Sequence, residues 1–256
     1  MLQRITEIVR EAGSLVRAPQ SFKVSQKSNF ADFVTERDLA VQELLVSRFK
    51  EWMPEAGFLC EEAGLVVLDR EYVFVIDPID GTANFVAGYR ESGVSVALMK
   101  NGEVKWGVVY NPYADEMFSA EKGKGAFLNG EPISVTSAPL RNSLIAVGMS
   151  PYNREKSDLT FDLLRGVFEV SADIRRGGSA ALDACRVAAG RCALMFELGL
   201  HAWDFYASRL IVEEAGGVFS YVDGKDYSYT DICPVVMGTK EAVGKFLEIY
   251  TNATSE

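Results

Sequence analysis

The 256 residues carry 26 Lys and Arg against 36 Asp and Glu, a formal charge of −10, and one histidine, His201. A Ser-His-Asp triad, a His-rich zinc site or a phosphohistidine mechanism would each have to run through that residue, so the abundant reactive groups are carboxylates. The acidic balance argues against nucleic acid or an anionic membrane surface as a partner, since both need a basic patch, and no apolar run approaches the roughly 18 residues of a membrane span.

The opening MLQRITEIVREAG is amphipathic rather than signal-like. Together with four scattered cysteines, Cys60, Cys185, Cys192 and Cys233, it predicts a cytoplasmic protein with reduced, mostly buried thiols. Leu2, Ile5, Ile8, Val9, Ala12 and Leu15 recur at helical spacing and predict a helix from Leu2 to Arg17. A polar segment follows Pro19, and a second helix is predicted from Thr35 as N-cap, with Leu39, Leu44, Leu45 and Phe49 facing inward. YVFVIDP from Tyr72 reads as a buried strand ending at Pro78, and VSVALM from Val94 as another. Asn-Gly pairs at Asn101 and Asn129 predict hairpin turns and hence a meander.

Beyond Pro139, single strands alternate with helices. SLIAVGM, ALMFEL, GGVFSYV and VVMG are the strand candidates, and helices are expected near 158–168, 179–189, 204–215 and 241–250. Without an internal repeat or linker, the pattern predicts two lobes sharing a face, 1–139 and 140–256.

VFVIDPIDGTANF places Asp77, Asp80 and Thr82 after a buried strand. Pro78 narrows how the two carboxylates aim. The amides of Gly81, Thr82 and Ala83 could open a short helix whose N-terminus attracts phosphate. An Asp-rich turn with an N-cap explains the same residues. CEEAG puts Glu61 and Glu62 at another strand end, where they also fit a solvated face, and HAWDF places Asp204 where it also fits an ordinary N-cap.

Taken together, the EE pair, the DPIDGT block at 77–82, the WD pair at Trp203 and Asp204 with the downstream EAGG, and KSNFADFVTERD at 27–38 resemble the inositol monophosphatase family. The likeness spans about Lys27 to Gly217 and departs at Cys60 and Ala83, neither of which removes a liganding oxygen. It implies an α/β (α+β) fold, a layered αβαβα sandwich whose first sheet is mainly antiparallel. It also implies a homodimer and a metal-dependent hydrolysis of myo-inositol monophosphate to inositol and phosphate by direct attack of a metal-activated water, with lithium sensitivity.

The resemblance assigns one metal to Glu61, Asp77 and the Ile79 carbonyl, and a second to Asp77, Asp80 and Asp204; some family members take up a third, weaker ion near Glu61. Charge gives this a reason: at an effective dielectric of 20, each like-charge pair about 4 Å apart costs roughly 4 kcal/mol. All-oxygen ligation selects Mg2+, or Mn2+, over zinc. Asp38 and Thr82 resemble the family's water-activating pair, although Asp38 also fits a capping box. Ser179, Ala180 and Glu197 would meet the alcohol half of the substrate, with Asp80 and Asp204 beside it. Lys27 either lines the site or is a solvated loop lysine.

Fructose 1,6-bisphosphate or another small sugar phosphate is an alternative substrate, and a bisphosphonucleotide a weaker one. Two further readings compete: an aspartyl-phosphate phosphatase, disfavoured because two residues rather than one separate Asp77 from Asp80, and a non-catalytic metal- or phosphate-binding regulator. KGKG at 122–125 lacks the strand–loop–helix setting of a phosphate loop and reads as a turn.

Overall fold

The structure, a computed structural model, describes residues 1–18, 22–27, 33–64, 66–151 and 154–255. Ser28 to Asp32, within the KSNFADFVTERD motif, therefore lie outside the described residues.

The chain begins with α1 (Leu2–Arg17), followed by the antiparallel pair β1 (Val24–Gln26) and β2 (Phe33–Thr35), then α2 (Glu36–Trp52). Thr35 caps α2 as expected, in a capping box with Asp38. Of the residues expected to face inward, Leu45 and Phe49 are buried and Leu44 packs on their core, but Leu39 is 46% exposed: it lies two residues, about 200°, round the helix from Val41, which completes the buried stripe.

An eight-stranded sheet follows: β3 (Gly57–Cys60), β4 (Val66–Val67), β5 (Tyr72–Asp80), then, after the short α3 (Thr82–Val86), β6 (Gly93–Lys100), β7 (Glu103–Asn111), β8 (Glu116–Glu121), β9 (Ala126–Leu128) and β10 (Glu131–Ile133). Its order is β10-β9-β8-β7-β6-β5-β3-β4, and every pair is antiparallel except β3 with β5. Both Asn-Gly turns form as predicted. Asn101 and Gly102 lie at φ 51° and 79°, Asn129 and Gly130 at 51° and 87°, the pairing of positive φ values that a tight hairpin needs.

The rest of the chain runs β11 (Leu144–Val147), α4 (Ser157–Val170), β12 (Asp173–Arg175), α5 (Ala180–Ala188), β13 (Leu194–Leu200), α6 (Ala202–Glu214), β14 (Val218–Tyr221), β15 (Cys233–Gly238) and α7 (Lys240–Thr254). Its five strands pair as β12-β11-β13-β15-β14, parallel within β12-β11-β13 and antiparallel thereafter. The short strand β12 carries no apolar alternation that would have announced it.

Strand periodicity explains the layering. On the eight-stranded sheet Phe58, Phe74, Ile76, Val96 and Leu98 pack against Ile5, Ile8, Leu45 and Phe49 of α1 and α2. The alternate residues Leu59, Val73, Val75 and Ala97 share a core with α5, α6 and Met195, Val235 and Met237 of the second sheet. The other face of that sheet, Ile145, Val147, Phe196 and Val236, packs on α4 and α7. The result is the predicted αβαβα sandwich. No helix among the described residues is long and apolar enough to cross a membrane, and all four cysteines are buried free thiols.

Candidate active site

The cavity opens at the end of β5. Because β3 and β5 run parallel, with Cys60 opposite Ile76, their chain ends leave the sheet side by side. The Glu61 amide donates to the Ile76 carbonyl at 3.1 Å, which sets Glu61 beside Asp77. The strand does not stop at Pro78 as the sequence suggested but continues to Asp80, with a bulge against β6 between Asp77, opposite Ser95, and Asp80, opposite Gly93. Three steps on β5 thus match two on β6, and the extra residue turns an odd spacing into one that delivers both carboxylates to the same side.

Gly81, at φ 90°, then reverses the chain into α3; a Cβ there would lie 3.0 Å from the Gly178 carbonyl oxygen. The start of α6 is docked by Ser95 Oγ, which donates to the Trp203 carbonyl at 3.2 Å, and this brings Asp204 in. Asp204 accepts the His201 amide at 2.7 Å, so its capping role and its place in the cavity coexist. His201 itself stacks on Trp203, ring centroids 4.5 Å apart.

Glu61, Asp77, Ile79, Asp80, Gly81, Thr82, Ala83, Ser179, Ala180, Glu197 and Asp204 all line this cavity. Burial raises the Asp77 carboxyl well above the usual carboxylate range, reinforced by the charges of Glu61, Asp80 and Asp204. Asp204 is raised for the same reasons, burial first and then Asp80 and Glu61. Asp80 is pushed up to about 7 by burial, against the hydrogen bonds of Ser179 and Ala181. Those bonds come from the start of α5: Ala181 N donates at 2.8 Å, Ala180 N at 3.3 Å, and Ser179 Oγ closes the set.

Asp38 lies outside the cavity lining but is joined to it through Thr82. One of its oxygens accepts the Thr35 amide at 2.9 Å, and the other the Thr82 hydroxyl at 3.2 Å. Its capping and site contacts are therefore made by the same carboxylate. Thr82 Oγ also lies 3.1 Å from the Ile79 carbonyl. Burial raises the Asp38 carboxyl, opposed by the Thr35 and Thr82 hydrogen bonds.

Lys27 holds both glutamates, with Nζ 2.8 Å from Glu61 and 2.5 Å from Glu62. Burial works against its charge, yet Glu61 and Glu62 outweigh this and raise it. The solvated-face reading fails for Glu62, which is 4% exposed, its carboxyl pushed up to about 7 by burial and by Glu61. Gln42 exchanges two hydrogen bonds with the Glu62 backbone and fixes the turn.

On the facing side Glu197 is 5% exposed and accepts from Ser150 N at 2.7 Å and Ser150 Oγ at 3.0 Å. Burial lifts its carboxyl to about 7 despite these bonds. Ser150 sits at φ 40°, in the left-handed region that non-glycine residues rarely occupy. Sequence reasoning missed Ser150, which lies 47 residues from its partner, and missed the role of Asp183, which lines the cavity from α5.

The donor set suits a hard divalent cation: carboxylates and a backbone carbonyl, with no thiolate or imidazole among the cavity-lining residues. The carboxylates, raised by burial and then by one another's charge, are what an added positive charge would relieve. Among the described residues, however, no three His, Cys, Asp or Glu side chains are already gathered closely enough to hold an ion. Glu61 is turned toward Lys27, Asp80 toward α5, and Asp77 accepts the Ile79 amide at 3.0 Å.

The sequence model for the inositol monophosphatase family matches residues 1–254. The chain belongs to that family of phosphatases. Nus factor SuhB of Escherichia coli strain K12 is 37% identical over 238 residues, covering 90% of this chain and 88% of its own. Inositol-1-monophosphatase of Mesorhizobium japonicum is 38% identical over 207 residues, covering 80% and 77% respectively. The solved structure of a Thermotoga maritima IMPase superposes with TM-score 0.88 at 31% identity, covering 99% of this chain and 98% of its own. The family and fold named by the sequence motifs are thus those of the chain.

Outside the cavity, the KGKG segment at 122–125 is a turn, as expected. The Glu214 carboxylate of the EAGG motif accepts the amides of Gly123 at 2.8 Å and Gly125 at 2.9 Å.

Proposed function

We propose that the chain is a Mg2+-dependent phosphomonoesterase that hydrolyses myo-inositol monophosphate to inositol and phosphate. The observation that carries this reading is the Asp38–Thr82 hydrogen bond at the edge of a cavity lined by Glu61, Asp77, Asp80 and Asp204.

Glu61, Asp77 and the Ile79 carbonyl would hold one cation and Asp77, Asp80 and Asp204 another, with Glu61 nearest a third. When bound, such cations offset the carboxylate charge, polarise the phosphoryl group and lower the pKa of water. The chain's own residues then govern the proton and the fit. The Thr82 hydroxyl donates to Asp38, leaving an oxygen lone pair to accept a proton from the attacking water. As the new P–O bond forms in line, the water proton passes to Thr82 Oγ and the Thr82 proton moves to Asp38. The bond from phosphorus to the ester oxygen breaks, and that oxygen leaves as inositol after taking a proton from solvent. The amides of Gly81, Thr82 and Ala83 meet the phosphate, and Ser179, Ala180 and Glu197 meet the alcohol. Glu197, a buried acceptor in a cavity lined mainly by carboxylates with Arg176 as a cation, favours neutral hydroxyls on its side of the site.

The SuhB relatives are named as Nus factors, which gives the regulator reading a place. The intact set of Glu61, Asp77, Asp80, Thr82 and Asp204 favours catalysis. Phosphate release from inositol monophosphates, fructose 1,6-bisphosphate and a bisphosphonucleotide, titrated with Mg2+, tests the reading. The expected result is fastest release from an inositol monophosphate; no release from any of them overturns the phosphatase, and a preference for the bisphosphate sugar overturns the substrate.

A further inference from the structure

An ion-pair cluster lies behind the 176–179 loop. Arg186, one turn after Asp183 on α5, donates from one guanidinium nitrogen to Asp183 at 2.5 Å and from the other to Glu91. Glu91 lies in the segment between α3 and β6, 95 residues away. Asp183 is almost wholly buried, and with its second oxygen it accepts the Gly177 amide at 3.2 Å. Asn84 of α3 closes the ring: its amide nitrogen donates to the Glu91 carbonyl at 2.7 Å and to the Gly177 carbonyl at 2.8 Å. Gly177 packs so closely against the cluster that a Cβ would fall 2.2 Å from Asp183 and 2.4 Å from Arg186.

We infer that Arg186 and Glu91 form a clasp that positions the 176–181 segment for substrate, Arg186 acting as a positioning residue rather than a catalytic one. The inference rests on the proposed reading of the cavity, since the clasped segment is the one that presents Gly178, Ser179 and Ala180 to it.

The physical argument concerns which wall would drift without the clasp. The loop joins β12 to α5, and Gly177 and Gly178 supply almost no side-chain packing of their own; Gly178, at φ 85°, is left-handed. Its position is therefore set by what holds its amides and carbonyls, namely Asp183 and Asn84. A planar guanidinium engages two carboxylates in a fixed fork, which a point-charge ammonium does less well. Removing it leaves Asp183 buried and without its cation, and breaking such a pair is costly where burying it intact is not. The displaced atoms would be those facing the alcohol half of the substrate and the α5 amides on Asp80, which saturating Mg2+ would hold in place, whereas Asp77, Asp204 and Asp38 rest on elements outside the clasp.

The test uses the full chain with Arg186→Met, Arg186→Lys and the milder Glu91→Gln, in saturating Mg2+. Arg186→Met is expected to raise KM for inositol monophosphate about 10-fold while kcat falls less than about 3-fold, the split expected when binding contacts rather than reacting groups are disturbed. Arg186→Lys should recover part of the KM loss and Glu91→Gln should reproduce a smaller rise. Hydrogen exchange supplies a readout that does not depend on activity. Amides of 177–181 should exchange at least about 10-fold faster in Arg186→Met and measurably faster in Glu91→Gln, with those of α6 unchanged. If the parent protein releases no phosphate, the proposed function fails while the exchange experiment still judges the clasp. Unchanged loop exchange in both Arg186→Met and Glu91→Gln overturns the clasp, as does a folded Arg186→Met variant whose KM stays within 2-fold while kcat collapses.

Discussion

The two walls of the cavity treat their carboxylates in different ways. On the sheet side, Asp77 and Asp204 have one another, Glu61 and Asp80 as electrostatic neighbours, and burial and mutual repulsion push their carboxyls in the same direction. On the α5 and β13 side, Asp183 has Arg186, and Glu197 has the amide and hydroxyl of Ser150. There, burial is opposed by the partners, and Asp183 is raised only to about 6. Asp80 belongs to both, standing among the acids of the first wall and gripped by the amides of the second. One wall is electrostatically incomplete and the other is complete; under the proposed function the first would take the cations and the second the neutral polyol.

Asp77→Asn tests the division most severely. It should lower kcat/KM at saturating Mg2+ by at least about 10³-fold, the scale on which charge stabilisation at a reacting phosphate operates. It should also melt above the parent in EDTA at pH 8, because it removes a self-repelling charge. Asp183→Asn should do the opposite and melt below the parent, because it takes from the half-buried Arg186 guanidinium one of its two carboxylate partners. If Asp77→Asn lowers the melting temperature in EDTA, the sheet-side wall is not the strained one. Next in size is Thr82→Ala, expected to cost about 10²-fold or more in kcat while leaving Mg2+ binding by calorimetry intact; Thr82→Ser should retain most of the activity.

Glu197→Gln sharpens the second wall. A neutral amide keeps one acceptor oxygen for Ser150, so we expect KM for inositol monophosphate to rise about 10-fold with little change in kcat, within the range for losing one hydrogen-bonding feature in a built site.

The smallest effect is the pH dependence of stability. Asp80, Glu62 and Glu197 titrate near 7 in the folded chain against 3.8 to 4.5 ordinarily. The folded state therefore binds more protons than the unfolded state between about pH 4 and pH 7. This contribution to stability is fully present below about pH 4 and is lost as pH rises through 7. In EDTA the melting temperature should be lower at pH 8 than at pH 5.5, by a few degrees. Mg2+ should restore it mainly at pH 8, and Glu197→Gln should reduce the part that Mg2+ does not restore. A melting temperature that rises with pH in EDTA would contradict the direction of these shifts.

The ease of reading the fold varied with the range of the interaction concerned. Ile5, Ile8 and Val9 announce α1, and Asn101-Gly102 announces its hairpin, because each signal is complete within a few residues. Leu39 misled because its apolar side chain lies on the far side of α2 from Val41, about 200° round, where it stays exposed. β5 ran past Pro78 because β6 supplies a partner, and a bulge absorbs the irregularity. At the site, Asp77, Asp80 and Thr82 were legible as one contiguous block, and Asp38 as a residue with two possible tasks, both of which its two oxygens perform. Ser150 and Glu91 gave no sign of their tasks, since a serine and a glutamate in a polar stretch have ordinary surface explanations.

By itself the sequence determined the chemistry available and the local elements that carry it: carboxylates instead of imidazole, a strand ending in two aspartates, a glycine that turns the chain, and the helix starts. Those follow from side-chain type, periodicity and backbone preference, which act over a few residues. Only the tertiary structure decided which acids are neighbours. The parallel pairing of β3 with β5 sets Glu61 beside Asp77, the docking of α6 on Ser95 brings Asp204 to them, and α5 lays its first amides on Asp80 while Arg186 reaches back to Glu91. Strand register and layer packing are long-range choices, fixed by burial of the alternating apolar faces across the whole chain, and no short stretch of sequence contains them.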